Sequence, residues 1–291
     1  MRLGNWVTAI RPKTLPASAV PVLVGSAVAG SEGAFSALPA SVAFVCALAI
    51  QVGTNLANDY FDFMKGVDTP DRLGPIRVTQ SGLIPPRTVR NAMIGVLGGT
   101  FLLGLTLVYI AGWPILILGM LSLVCAVAYT AGPFPLAYIG LGDLFVFLFF
   151  GVGAVTGTHY VQALRFSHDA LAASLPIGAI STAILVVNNY RDIDTDRKTG
   201  KRTLAVRIGR EATRVEFTVL LSVAFAVPVV QAAYSGVLFF LLPLVSIPLA
   251  VRIVRIVLTR TDGPSLNRVL AATGGFLVVF GVLYSAAFLL R

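Results

Sequence analysis

Long uninterrupted apolar runs, separated by mostly short polar connections, dominate the chain. A bilayer core of about 30 Å needs about 20 apolar helical residues. Nine stretches meet that need, roughly 15–31, 37–57, 90–110, 114–131, 143–164, 170–190, 214–234, 237–258 and 267–290. The runs are continuous and do not alternate apolar with polar positions, which excludes a transmembrane β-barrel. The pattern predicts an all-α, polytopic membrane protein with nine transmembrane helices. Pro16 and Pro21 interrupt the first run and many apolar spans follow it. Ala27-Val28-Ala29 therefore reads as part of a span and not as a signal-peptide cleavage site.

Composition agrees with this reading. The chain is 56% hydrophobic and 12% charged, against about 25% charged in soluble domains. A net charge of +9 raises nucleic acid as a partner, but the basic residues sit in connections between apolar runs. That is the pattern of membrane topology, and no nucleic-acid partner is expected. With nine spans the chain ends lie on opposite sides. Of 22 Lys and Arg, 20, Arg2 included, then fall on the N-terminal side, leaving only Arg165 and Arg291 on the other. This asymmetry predicts a cell-membrane protein with its N-terminus in the cytoplasm. Of 13 acidic residues, only Glu32 and Asp169 fall away from that side. Acids do not set topology, so their concentration calls for a chemical reason. Cys46 and Cys125 lie inside apolar runs and read as small buried hydrophobes, and neither they nor the two histidines form a zinc pattern.

Two connections are long, 58–89 and 191–213, and they follow the second and sixth spans. Both open on an echo. Asn58-Asp59-Tyr60-Phe61-Asp62 and Asn188-Asn189-Tyr190-Arg191-Asp192 each read Asn-x-Tyr-x-Asp. With the four-span offset, this predicts a tandem repeat of four helices plus one extra helix, with a site at the repeat interface.

Asn55, Asp59 and Asp62 fall at i, i+4 and i+7, and Asn188, Asp192 and Asp196 at i, i+4 and i+8. On helices each set shares one face. Carboxylates that close repel by about 4 kcal/mol at 4 Å and an effective dielectric of 20, so a cation must offset them. Mg²⁺ suits this: it prefers oxygen ligands and binds through one or two carboxylates plus substrate phosphates. Ionisable groups at membrane depth are functional by default. Lys65, Arg72 and Arg77 near the first cluster, and Lys198, Lys201 and Arg202 near the second, suit phosphate oxygens that gain charge as they leave. Asp71 and Asp194 read as neighbours of the clusters and not as ligands. Tyr60, Tyr129 and Tyr138 lie near the same face and read either as interfacial tyrosines or as faces for a cation. His159 falls near the far face and reads as a polar interhelical residue.

Residues 55–62, Asn-Leu-Ala-Asn-Asp-Tyr-Phe-Asp, and 192–204, Asp-Ile-Asp-Thr-Asp-Arg-Lys-Thr-Gly-Lys-Arg-Thr-Leu, resemble the two signature motifs of the UbiA-type intramembrane aromatic prenyltransferases. The resemblance implies a single transmembrane prenyltransferase domain over 1–291 that binds an isoprenyl diphosphate through Mg²⁺ at two Asp-rich loops. Arg11-Pro12-Lys13-Thr14-Leu15-Pro16, Asp71–Arg77, Gln80-Ser81-Gly82 and Gly140-Leu141-Gly142-Asp143 resemble the branch that prenylates 1,4-dihydroxy-2-naphthoate in menaquinone synthesis. The broader family often carries a third acid at the place of Gly66; this chain offers Asp68 nearby.

On that resemblance, Asp59, Asp62, Asp68, Asp192 and Asp196 are the expected metal ligands. Asn55, Asn58 and Asn188 orient ligands or donate to phosphate, and Lys201, Arg202 and Arg72 add positive charge. Lys13 or Arg77 would hold the acceptor carboxylate, Asp143 would orient a hydroxyl, and Tyr129 is a cation-facing candidate. The alternatives are another aromatic acceptor such as 4-hydroxybenzoate, a transporter, a phosphatidyl transferase and an assembly protein. A transporter would spread its acids through the bilayer, a phosphatidyl transferase would pack them into one motif, and an assembly protein would need no paired clusters. Tail length depends on the shape of an intramembrane groove.

Overall fold

The computed structural model describes residues 3–68 and 73–291; Arg2, Asp71 and Arg72 lie outside the described residues. Among the described residues every regular element is helical. The helices are α1 (Leu3–Ile10), α2 (Pro16–Ser31), α3 (Ala37–Met64), α4 (Pro86–Ala111), α5 (Trp113–Ala128), α6 (Gly142–Val146), α7 (Ala154–Ala163), α8 (His168–Lys198), α9 (Leu204–Ser235), α10 (Ile247–Thr259) and α11 (Gly263–Leu289). A π-helical segment, Phe147–Gly153, joins α6 to α7, and a 3₁₀ segment, Leu238–Ser246, leads into α10.

Local chemistry sets the ends. Ser167, Thr203 and Asp262 cap α8, α9 and α11, accepting from the amides of Ala170 (3.2 Å), Val206 (3.3 Å) and Ser265 (2.9 Å). Such caps satisfy the amides that a helix start leaves open. Gly209, at φ 80°, breaks the first turns of α9 from the rest, a conformation that glycine adopts without a Cβ clash.

Each of the nine expected apolar runs is helical, but the expected nine crossings are not reached on length and apolarity. Among the described residues, seven helices are long and apolar enough to span a membrane. The pair Leu3–Thr14 and Pro16–Ser31, bent by 51°, makes an eighth. α5 has 16 residues, about 24 Å at 1.5 Å per residue, which is short of a bilayer core. Large apolar side chains such as Leu102, Ile117, Val215 and Val245 face outward, as a lipid-facing surface requires. The chain is a multi-pass membrane protein.

α8 is the central helix: 72% of its apolar window is buried, against 17% for α4. It packs on α9, α11, α2 and the π segment. α3 pairs with α4 as α8 pairs with α9, the two pairings that a four-span offset would produce. Where α8 meets the π segment, a Cβ on Gly151 would lie 2.5 Å from Gly178 Cα and 2.9 Å from the Ser174 carbonyl oxygen. Small residues let the backbones touch there. This contact fixes α8, and with it the second acidic cluster.

At the end of the bundle away from the acidic clusters, Glu32 ties three elements together. It accepts from Ser167 Oγ (2.7 Å) and Arg165 Nη2 (2.9 Å) and shares a hydrogen bond with His159 Nε2 (3.0 Å). Burial alone would raise the Glu32 carboxyl, but the Ser167, Arg165 and His159 contacts outweigh it and hold the group at about 2. His159 is fully buried, in keeping with a polar interhelical residue.

Candidate active site

The last turns of α3 carry Asn55, Asn58, Asp59 and Asp62 on the face that looks into the bundle; Asp59 and Asp62 are each 1% exposed. Residues 77–84 pack over them. Val78 and Ile84 are fully buried in an apolar cluster with Leu56, Ala57, Val89 and Met93. That anchor presents the amides of Val78 and Thr79 to Asp59, donating to its two carboxylate oxygens at 3.1 and 2.8 Å. Arg11 Nη2 lies 3.7 Å from the same carboxylate. Asp59 was expected to be a metal ligand; in the structure its two oxygens accept the backbone amides of the 77–80 turn.

That turn delivers Arg77, buried at 5% exposure. Its Nη2 donates to Asp62 at 3.1 Å and its Nε lies 3.4 Å from Asp68. Nη1 is buried and makes no hydrogen bond. Asp62 also accepts from the Tyr138 hydroxyl at 2.7 Å. Burial and the Asp62 charge push the Tyr138 hydroxyl well above its ordinary value, so it stays protonated and donates. Lys65 and Lys201 lie 4.9 and 5.6 Å from the centre of the Tyr138 ring. Lys65 also donates to the Thr130 carbonyl at 2.7 Å; burial lowers its pKa, against the attraction of Asp62.

The C-terminal turns of α8 present the second cluster. Arg191, 2% exposed, donates to both oxygens of Asp192 (2.8 and 2.6 Å), to Asn188 Oδ1 (2.9 Å) and to Asn267 Oδ1 of α11 (2.7 Å). Lys201 Nζ lies 3.9 Å from Asp196 Oδ1. The amide of Arg202 donates to the Tyr138 carbonyl at 3.2 Å, so the connection carrying Tyr138 ties the two motifs together.

The clusters converge. Asp62, Asp192, Asp196 and Lys201, with Thr195 and Thr199, line a pocket of about 20 Å³, room for one water or one ion. Asp62 and Lys201 also line the mouth of a larger cavity of about 390 Å³, with Arg77, Arg11, Asn55, Asn58, Asn188 and Tyr129. Its remaining walls, from α3, α4, α5 and the α6–α7 segment, are mostly apolar. A polar, cationic mouth over an apolar shaft suits an amphiphile with an anionic head.

The other expected residues differ in place and in partners. The 3₁₀ turn Pro12–Thr14 points Lys13 outward to an exposed position, while Arg11 and Thr14 line the cavity instead. Asn55 donates to the Ile10 carbonyl (2.8 Å) and to Thr14 Oγ1 (3.1 Å), which fastens the N-terminal segment. Asn58 accepts from Thr130 Oγ1 at 3.0 Å. The side chain of Arg202 is exposed. Asp143 is buried but outside the cavity wall; its helix meets the site where Gly142 packs against the Tyr129 hydroxyl. Of the three candidate tyrosines, only Tyr129 lines the cavity. Tyr60 packs edge-on against Phe61, and Tyr138 faces the lysines. Arg191, Gln51 and Thr14 were not singled out from the sequence. Arg191 stands inside the echo at the place of Phe61, the one signal that marks it.

The UbiA prenyltransferase family matches residues 18–272. A 1,4-dihydroxy-2-naphthoate octaprenyltransferase of Escherichia coli (strain K12) is 38% identical over 279 residues, 94% of this chain and 91% of its own. One of Mycobacterium tuberculosis (strain ATCC 25618 / H37Rv) is 38% identical over 98% of this chain and 96% of its own. Among solved structures, a UbiA homolog from Archaeoglobus fulgidus bound to GPP and Mg²⁺ has the same fold, with a TM-score of 0.64 at 14% identity over 97% of this chain and 99% of that one.

Proposed function

The chain belongs to the UbiA prenyltransferase family and is an enzyme that transfers prenyl groups; from that premise we propose that it moves a polyprenyl group from an isoprenyl diphosphate to 1,4-dihydroxy-2-naphthoate, with loss of the carboxylate as CO₂, giving demethylmenaquinol, the reduced form of demethylmenaquinone. One observation carries the reading: Asp62, Asp192, Asp196 and Lys201 meet in one small pocket at the polar mouth of an apolar cavity. The names of the relatives support the acceptor. The charge asymmetry of the connections supports a cytoplasmic mouth, with α5 and the bent α1–α2 pair completing nine crossings.

Among the described residues, no three acidic, histidine or cysteine side chains are grouped to hold a metal by themselves. Mg²⁺ is usually held by one or two carboxylates with waters and substrate phosphates, so Asp62, Asp192 and Asp196 fit a site that diphosphate oxygens complete. Bound there, Mg²⁺ offsets the charge that gathers on the leaving diphosphate. Asp59 and Asp68 serve from behind, Asp59 by holding the 77–80 turn and Asp68 by steadying Arg77. Arg191 holds Asp192 in place through two hydrogen bonds.

Arg77 and Lys201 attract the diphosphate as the allylic C–O bond breaks with its electron pair on oxygen. Apolar walls exclude the water that would quench the allylic cation, and the Tyr129 ring faces it. Arg77 Nη1, buried without a hydrogen bond, is the donor for the acceptor carboxylate. The electron-rich ring forms the new C–C bond, and the electrons of its C–CO₂ bond return to restore aromaticity. Asn58 and Asn188 line the mouth and orient the head group. Asp143, behind the cavity wall, touches no substrate in this reading.

Purified protein given an isoprenyl diphosphate, 1,4-dihydroxy-2-naphthoate and Mg²⁺ will yield a prenylated product lighter by CO₂ on mass detection. Prenylation of 4-hydroxybenzoate alone would overturn the acceptor and leave the family intact.

A further inference from the structure

One face of α10 packs on the bundle through Ala250, Ile253 and Val257, all buried. The other carries Arg252 and Arg255, one turn apart and both exposed, beside Val251 and Leu258, which are 41% and 45% exposed. The end of the helix sets the level of these arginines. Just past Thr259, the Arg260 carbonyl accepts from the Tyr190 hydroxyl at 3.5 Å, so α10 ends at the level of the acidic clusters. Arg252 lies seven residues before that end, about 10 Å deeper at 1.5 Å per residue. A guanidinium on an apolar span is costly unless it reaches the interface or finds a counter-charge. The protein supplies none. Neither guanidinium makes an ion pair or a hydrogen bond among the described residues. The elements packed on α10 are α9, α11 and the 3₁₀ segment, and the acids they carry are engaged elsewhere. Glu211 pairs with Arg214 at 2.6 Å, Glu216 has Asp143 as its charged neighbour, and Asp262 caps α11.

We propose that Arg252 and Arg255 form a binding site for an anionic phospholipid, away from the catalytic cavity. The two guanidiniums hold the lipid phosphate, and Val251 and Leu258 lie against its acyl chains. The planar guanidinium fork matches phosphate oxygens bidentately. An arginine stem lies along apolar surface while its head reaches toward the interface, where the phosphates of the leaflet are. Basic side chains on the outside of a span at this level are the chemistry that anionic head groups select. The charge sets the class of lipid: phosphatidylglycerol brings a net negative charge to the pair, whereas the phosphate of phosphatidylcholine is already offset by its own choline. The proposal does not depend on the prenyl-transfer reading.

The test places the purified protein in micelles that hold dioleoylphosphatidylglycerol and dioleoylphosphatidylcholine in equal amounts. Native mass spectrometry then counts the protein ions that keep one lipid or the other. Two arginines near an anionic surface are worth about thirtyfold in affinity. The expected result is a ratio of glycerol to choline lipid of at least about ten in the wild type, falling toward one in the double variant Arg252→Gln/Arg255→Gln. The single variants Arg252→Gln and Arg255→Gln fall part of the way, and they supply the comparison if the double variant does not fold. Arg90→Gln removes an exposed arginine from α4 and leaves the ratio as in the wild type. A ratio near one in the wild type, or one unchanged in the α10 variants, overturns the proposal and leaves the two arginines as markers of topology alone. An equal fall in Arg90→Gln also overturns it, because the lipid then answers to net charge and not to a site.

Discussion

Asp59 separates an anchoring role from a metal-binding one. Its carboxylate accepts the amides of Thr79 and Val78 at 2.8 and 3.1 Å and is 1% exposed. A hydrogen bond to a charged group contributes about 1.5–3 kcal/mol. Asp59→Asn keeps one acceptor oxygen and turns an amide NH₂ toward the other donor, which predicts a loss of about 1.5–3 kcal/mol. Asp59→Ala strands both buried amides and predicts about 3–6 kcal/mol. Either change frees the turn that positions Arg77, so turnover falls as well. The assay pairs unfolding in detergent with activity titrated against Mg²⁺. The expected outcome is a stability loss ordered Ala over Asn, with the Mg²⁺ concentration for half activity raised by less than about tenfold, the low end for loss of an outer partner. Native stability in both variants, with that concentration raised beyond about a hundredfold, would refute the anchoring argument and return Asp59 to the metal.

Arg191→Met removes the partner of a buried carboxylate; breaking such a pair costs about 3–5 kcal/mol, and Asp192→Asn in the same background should recover part of it in a denaturant titration. Gly151→Ala forces a Cβ against the backbone at Gly178 and Ser174, neither of which can rotate away; overpacking of this kind costs about 1–3 kcal/mol, read as a lower thermal midpoint. Glu32 has a carboxyl held at about 2 against an ordinary 4.5. A depressed acid stabilises the fold above its unfolded value, so this contribution is present above pH 4.5 and fades as pH falls toward 2. Wild type should therefore lose more stability than Glu32→Gln across that window, and parallel pH profiles would contradict the assignment.

The apolar runs were legible in the sequence because hydrophobic length is itself the constraint that lipid imposes. The facing of Asp59 and Asp62, and of Asp192 and Asp196, followed from helical spacing that continued past the apolar run, as α3 and α8 do. What each acid touches was not legible. Asp59 is turned into an anchor by amides 19 and 20 positions away, a return fixed by Val78 and Ile84 finding an apolar cluster. Lys13 and Arg11 are two residues apart with the same charge, and only the 3₁₀ turn at Pro12–Thr14 decides that Arg11 faces the cavity and Lys13 does not. Arg191 was absorbed into the topological charge count because burial cannot be read from charge. The count of nine crossings exceeded what the helices support on length, since α5 stops at Ala128 while the apolar run continues into the turn after it.

In the proposed reaction the two acidic clusters form one metal-dependent diphosphate site. Calorimetric titration of the purified protein with a non-cleavable geranyl thiolodiphosphate, in Mg²⁺ and then in EDTA, tests it without any chemistry taking place. The expected affinity is at least about a hundredfold weaker in EDTA, some 2.7 kcal/mol, with Asp196→Asn in Mg²⁺ shifted in the same direction. Equal affinity in both buffers would contradict it.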